Sequence, residues 1–162
     1  MAALSGRLAA QLPTLIASLA NPGAFSPDAA AAGRRALRVA ALGLLTLVDG
    51  GRAAEATFAE AGNMTEVTGA LAALLDIGKG QAQVESFAAR WSANPLVMDK
   101  WFALQIAFAA PEAAAEVTER LTALPSFDWR NPNRFRSVIG ALSGNHAGFH
   151  RAAGEVAQTI NR

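Results

Sequence analysis

The residues whose type and spacing come nearest to chemistry are His146 and His150, in the string His146-Ala147-Gly148-Phe149-His150. Histidines at i and i+4 share one face of a helix, the ligand spacing of H-E-x-x-H zinc hydrolases. That reaction also needs a general base, and Ala147 stands where the glutamate belongs. Glu155 is a formal third ligand, while Gly144 and Gly148 make the stretch a poor rigid platform. The pair therefore reads as surface or capping histidines, metal candidates by spacing alone. A second cluster runs Asp128-Trp129-Arg130-Asn131-Pro132-Asn133-Arg134-Phe135-Arg136. Arginines beside aromatics can clamp a carboxylate or phosphate through two parallel N–H donors. The same residues also read as a capped helix start whose arginines pair with Asp128 or with backbone carbonyls. In a helix begun at Pro132, Phe135 and Arg136 point in different directions, so Arg134 or Arg136 is left to face a cavity while Phe135 enters the core.

Other candidates are weaker. Asn94 to Gln105 is dominated by bulky apolar side chains with Asp99, Lys100 and Gln105 as the polar minority, and reads as a structural spine. Glu60, Asn63 and Glu66 form no recognisable metal constellation. No phosphate-binding loop, dinucleotide fingerprint or nucleophile elbow is present in the sequence, and Ser137 and Ser143 make no triad by being near histidines. No catalytic residue is assigned.

Composition narrows the class. Of the 162 residues 52% are hydrophobic and 17% charged, enough apolar material for a core and too much for disorder. Fourteen Lys and Arg face thirteen Asp and Glu, a net charge of +1 too even for a nucleic-acid or anionic-membrane footprint. The absence of cysteine excludes disulfides and thiolate metal sites, and suits a cytoplasmic location. Ser5, Gln11, Pro13 and Thr14 interrupt any signal-peptide core, and the apolar run from Val39 to Val48 is too short to span a bilayer.

The elements that must position these residues are helices. Leu37, Ala41, Leu44, Leu45 and Val48 follow the three-four rhythm of one helical face. Val67, Leu71, Leu74 and Leu75 repeat it, as do Val84, Phe87, Ala88 and Trp91, then Val97, Trp101, Leu104 and Phe108, then Val117, Leu121 and Leu124. Phe135, Val138, Ile139 and Leu142 supply a sixth face. Ser26-Pro27-Asp28 reads as a cap, a first-turn proline and a first-turn acid, and Asn94-Pro95 and Asn131-Pro132 carry the same logic. Asp49-Gly50-Gly51, Gly62-Asn63 and Gly78-Lys79-Gly80 read as stops. The expectation is an all-α chain of similar-length antiparallel αα-hairpins stacked as a HEAT- or armadillo-like superhelix, one domain over residues 1–162.

Several of these strings match a known family in order. They are Phe25-Ser26-Pro27-Asp28 with Ala32-Gly33-Arg34-Arg35-Ala36-Leu37-Arg38, Ala61-Gly62-Asn63-Met64-Thr65, Asn94-Pro95-Leu96-Val97-Met98-Asp99-Lys100-Trp101-Phe102, Phe127 through Ser137, and Gly144-Asn145 followed by Ala147-Gly148-Phe149-His150. Together they resemble the C-terminal helical region of the bacterial aminopeptidase N family, zinc-dependent alanyl aminopeptidases, over roughly residues 25–151. The tail 152–162 departs from the family pattern, and His146 replaces a usual proline. The resemblance implies an accessory domain that closes over a separate catalytic domain and bounds its peptide cavity. The zinc and the H-E-x-x-H motif belong to that other part of the parent enzyme, which is the expected partner together with the peptide substrate. It also implies that Arg134 and Arg136 lie near the cavity, in contact with the distal part of the peptide or with the catalytic domain. A fragment of this kind is expected to self-associate through apolar surface it would otherwise cover. The competing reading is a free-standing helical-repeat scaffold that binds a peptide or protein partner.

Overall fold

The structure is a computed structural model that describes residues 2–20 and 23–151. Every regular element among them is a helix: α1 (Ala2–Leu8), α2 (Leu12–Ser18), α3 (Ala29–Asp49), α4 (Arg52–Glu60), α5 (Met64–Asp76), α6 (Gln81–Trp91), α7 (Pro95–Ala107), α8 (Ala114–Thr122) and α9 (Pro132–Gly144), with residues 146–151 helical again. The chain is all-α. None of these helices is long and apolar enough to cross a membrane.

The boundaries follow from local chemistry. Asn94 and Asn131 cap α7 and α9: Asn94 Oδ1 accepts from the Val97 N–H at 3.2 Å, and Asn131 Oδ1 from the Asn133 and Arg134 N–H groups at 3.0 and 3.3 Å. Proline follows each cap in the first turn, where its missing N–H costs nothing. Two details differ from expectation. Asp28, not Ser26, caps α3, because its Oδ1 accepts from the Ala31 N–H at 2.9 Å while the Ser26 hydroxyl donates to the other carboxylate oxygen. Asn63 does not end a helix but caps the next one, taking the Glu66 N–H at 3.0 Å. Gly50 and Gly51, at φ of 72° and 100°, make the reversal between α3 and α4 that a side-chain-bearing residue would strain.

The helices are less uniform than expected. α3 runs for 21 residues while the others span 7 to 13, since nothing between Ala29 and Asp49 stops it. The chain divides into two compact units, Met1–Gln83 and Val84–Arg162. In the first, α3 packs against α1, α2, α4 and α5. Its core joins Leu42, Ala54, Ala70, Ala73 and Leu74, with Leu12, Ala41 and Leu45 alongside. α3 and α5 approach so closely that a Cβ placed on Gly69 would sit 2.5 Å from a Val39 methyl carbon. The buried face of α3 is turned from the expected one. Arg35 and Thr46 are buried, whereas Leu37 is 50% and Val48 43% exposed. A helix this rich in alanine and leucine has apolar residues all round, so spacing alone does not select the inward stripe.

In the second unit α7 packs against α8 and α9, and α8 against α9. Phe87, Phe102, Ile106, Leu121 and Val138 are fully buried there, and the Trp101 indole N–H donates to the Val84 carbonyl at 2.9 Å. α7 again carries apolar residues on every face and buries Met98, Trp101, Phe102, Gln105 and Ile106; of the expected Val97–Trp101–Leu104–Phe108 stripe only Trp101 is buried, while Phe108 is exposed.

Candidate functional site

Arg134 and Arg136 are two residues apart on the first turns of α9, so they lie roughly 200° apart around the helix. That geometry separates them completely. Arg134 is buried, 6% exposed, and each of its three guanidinium nitrogens donates a hydrogen bond inside the unit. Its Nε donates to Asp99 Oδ1 at 2.5 Å, Nη1 to the Ser126 carbonyl at 2.6 Å and Nη2 to the Pro95 carbonyl at 3.4 Å. Its guanidinium carbon lies 4.4 Å from the centre of the Phe102 ring. A planar, permanently charged fork suits this role because it meets a carboxylate and two carbonyls while presenting its face to an aromatic ring. The arrangement binds the start of α9 to the start of α7 and to the loop before α9.

Arg136 is exposed, as is Arg130. Between them the aromatics form a chain of rings leading outward. Trp101 meets Phe102 at 5.0 Å between centres, Phe102 meets Phe127 at 5.8 Å, Phe127 meets Trp129 at 4.6 Å, and Trp129 meets Phe135 at 5.9 Å. The first three are buried, but Trp129 is 56% and Phe135 41% exposed. Phe135 therefore does not enter the core, contrary to the sequence expectation. Arg134 takes the inward place, because a full set of partners makes its burial less costly than its charge suggests. The surface around the start of α9 thus offers two exposed rings and the exposed guanidinium groups of Arg130 and Arg136, a combination suited to a peptide carrying a carboxylate.

The histidines do not join this surface. Asn145 caps the last helical stretch, its Oδ1 accepting the Gly148 N–H at 3.1 Å while its amide donates to the Ile106 and Ala109 carbonyls at 3.0 and 2.9 Å. Gly148 is buried against α8, where a Cβ would meet that of Ala114 at 2.5 Å. His146 and His150 lie two residues either side of Gly148, hence on the opposite face, and both are exposed. The third ligand considered, Glu155, lies outside the described residues, as does the whole tail 152–162. Among the described residues no three His, Cys, Asp or Glu side chains converge.

A second polar constellation, in the first unit, went unrecognised in the sequence. Arg38 Nη1 pairs with Glu66 Oε1 at 2.6 Å, and Glu66 Oε2 accepts from the Asn63 amide at 3.0 Å. Glu66 is buried, and Arg35 one turn earlier on α3 is 5% exposed under the Phe25 ring. These residues line a cavity of about 420 Å³. The available signal was the i, i+3 spacing of Arg35 and Arg38 beside the Asn63–Glu66 cap, which places four polar side chains at facing helix starts.

Comparison with known proteins places both units. A family model described as a domain of unknown function (DUF3458_C), ARM repeats, matches residues 1–160. The chain is 39% identical over 138 residues to aminopeptidase N of Caulobacter vibrioides, covering 82% of this chain and 16% of that protein. It is 43% identical over 103 residues to aminopeptidase N of Escherichia coli, covering 60% of this chain and 11% of that one. A crystal structure of Legionella pneumophila aminopeptidase A in complex with aspartic acid superposes with a TM-score of 0.82 at 26% identity, over 98% of this chain and 20% of that one. The chain spans between 11% and 20% of these relatives' length. It belongs to the DUF3458_C family of ARM-repeat domains and is homologous to the C-terminal helical domain of bacterial aminopeptidase N.

Proposed function

We propose that the chain is the accessory C-terminal domain of a zinc metalloaminopeptidase that removes N-terminal residues from peptides. In this reading it bounds the substrate cavity of a catalytic domain elsewhere in the enzyme, which holds the zinc, and has no turnover alone. The enzyme works in the cytoplasm. The observation that carries the reading is the split between the two arginines. Arg134 is consumed in holding α7 to α9, and Arg136 is left exposed on the adjoining turn of the same helix. No hydrogen bond or ion pair among the described residues engages Arg136, so it is the residue placed to meet the peptide beyond its cleaved end or an acidic group of the catalytic domain. Trp129 and Phe135 beside it supply apolar surface for the same contact, and in the isolated chain would drive self-association.

The test is Arg136→Ala in a full-length aminopeptidase carrying this segment. The KM for a tetrapeptide should rise by about tenfold, the effect of one lost charge-assisted contact, with kcat little changed. An alanyl chromogenic substrate, which has no distal residues, should be unaffected. Equal kinetics for both substrates in the variant would remove Arg136 from the cavity.

A further inference from the structure

The cavity in the first unit is unlike an ordinary structural ion-pair site, because its donors outnumber its acceptors. Arg38 spends Nη1 on Glu66, yet its Nε is buried without a hydrogen-bond partner. Arg35 has no hydrogen bond or ion pair to any described residue although it is 95% removed from solvent. Buried arginines are nearly always paired, since an uncompensated charge in a protein interior is costly. Asp28, the cap of the same helix, is held by Ser26 and Ala31 and interacts with the Arg35 charge only at a distance, without a hydrogen bond or ion pair to it. Phe25 lies over the Arg35 guanidinium, 4.7 Å from its carbon to the ring centre. Stacking covers the face of the fork and leaves its in-plane N–H edge available.

We propose that this cavity is a binding site for a carboxylate, with the Arg35 guanidinium, which lines it, as the anchoring fork. Its volume of about 420 Å³ suits a ligand of amino-acid to dipeptide size. The neighbouring acids decide the charge of that ligand. Glu66 pairs with Arg38, and the exposed Glu60 adds a negative charge at the lining, so a singly charged carboxylate on Arg35 is repelled less than a phosphate dianion. The carboxylate comes either from a chain end or free acid, or from an acidic side chain, and both present the same two oxygens.

The experiment is ligand-dependent thermal unfolding of the 162-residue chain at fixed ionic strength, with acetate as first probe and chloride and phosphate as controls. Acetate should raise Tm in a saturable way and the controls should not. Arg35→Met should unfold at the same temperature as the native chain or higher, because it removes a buried cation that has no hydrogen bond or ion pair among the described residues, and should lose the acetate response by at least about tenfold in apparent affinity. N-acetylalanine binding better than N-acetylglutamate α-amide assigns a chain-end carboxylate, and the reverse assigns a side chain. Should Arg35→Met not fold, Arg35→Lys keeps the charge, and titration of the arginine Nε–H NMR signals that it removes reads binding in the native protein directly. No acetate response in the native chain, an equal response to chloride, or an undiminished response in Arg35→Met would each overturn the proposal.

Discussion

Replacing Arg134 by methionine tests how the second unit is held together. The side chains of Arg134 and Asp99 are 7% and 13% exposed, so the change strands the Asp99 carboxylate in a largely dry environment. Removing one partner of a buried pair costs about 3–5 kcal/mol, and the lost contact with the Phe102 ring adds about 1 kcal/mol or less. The residual exposure of Asp99 admits water and draws the total toward the lower end of that range. Even so, about 3 kcal/mol is a large fraction of the ~5–15 kcal/mol by which domains are stable. Asp99→Leu should be costly for the mirror reason, leaving an uncompensated guanidinium. The double variant should be less destabilised than the two singles together, by about 2 kcal/mol of coupling. Arg136→Ala, two residues away but exposed, should stay within ~0.5 kcal/mol of the native chain. Urea unfolding followed by far-UV circular dichroism measures all four. Equal effects at Arg134 and Arg136, or additive effects at Arg134 and Asp99, would refute the division of labour between the arginines.

Two further consequences follow from the close approaches and the caps. Gly69→Ala puts a methyl 2.5 Å from Val39, a contact that must be relieved by moving α3 from α5, and should cost about 1–3 kcal/mol in thermal unfolding; Val39→Ala should return part of that loss. The Ser26 hydroxyl, followed by the Ala31 N–H, holds the Asp28 carboxyl below its ordinary value of 3.8. A lowered folded-state value stabilises above the unfolded one, so this contribution is complete above about pH 4 and is lost as pH falls through the lower folded value. Asp28→Asn should flatten the acid limb of helix content between native and variant, and an unchanged acid limb would count against that cap.

Much of the helical framework was legible because capping is local. An asparagine followed by proline has one economical conformation, and Asn94 and Asn131 both adopted it. The strings resembling the family were legible too, and the fold explains their length: Asp99 of one and Arg134 of the other form a single buried pair. What the sequence hid was rotation. In α3 apolar residues occur on every face, and at the start of α9 Phe135 follows Arg134 directly, so Leu37 and Phe135 looked better suited to the core than Arg35 and Arg134. A buried arginine is chosen by partners that are distant in sequence, such as Ser126, Pro95 or the Phe25 ring, and no helical period reports them. The cavity beside Arg35 was missed for that reason, and the histidine pair attracted notice because i, i+4 spacing is visible without any knowledge of what surrounds it.

The most direct test of the central claim is the hydrolysis of an alanyl chromogenic substrate by the purified 162-residue chain supplied with zinc. If catalysis resides in another part of the enzyme, turnover should not exceed that of zinc in buffer. Metal-dependent turnover abolished by His146→Ala would contradict the account, because it would place the chemistry on the exposed face that carries His146 and His150.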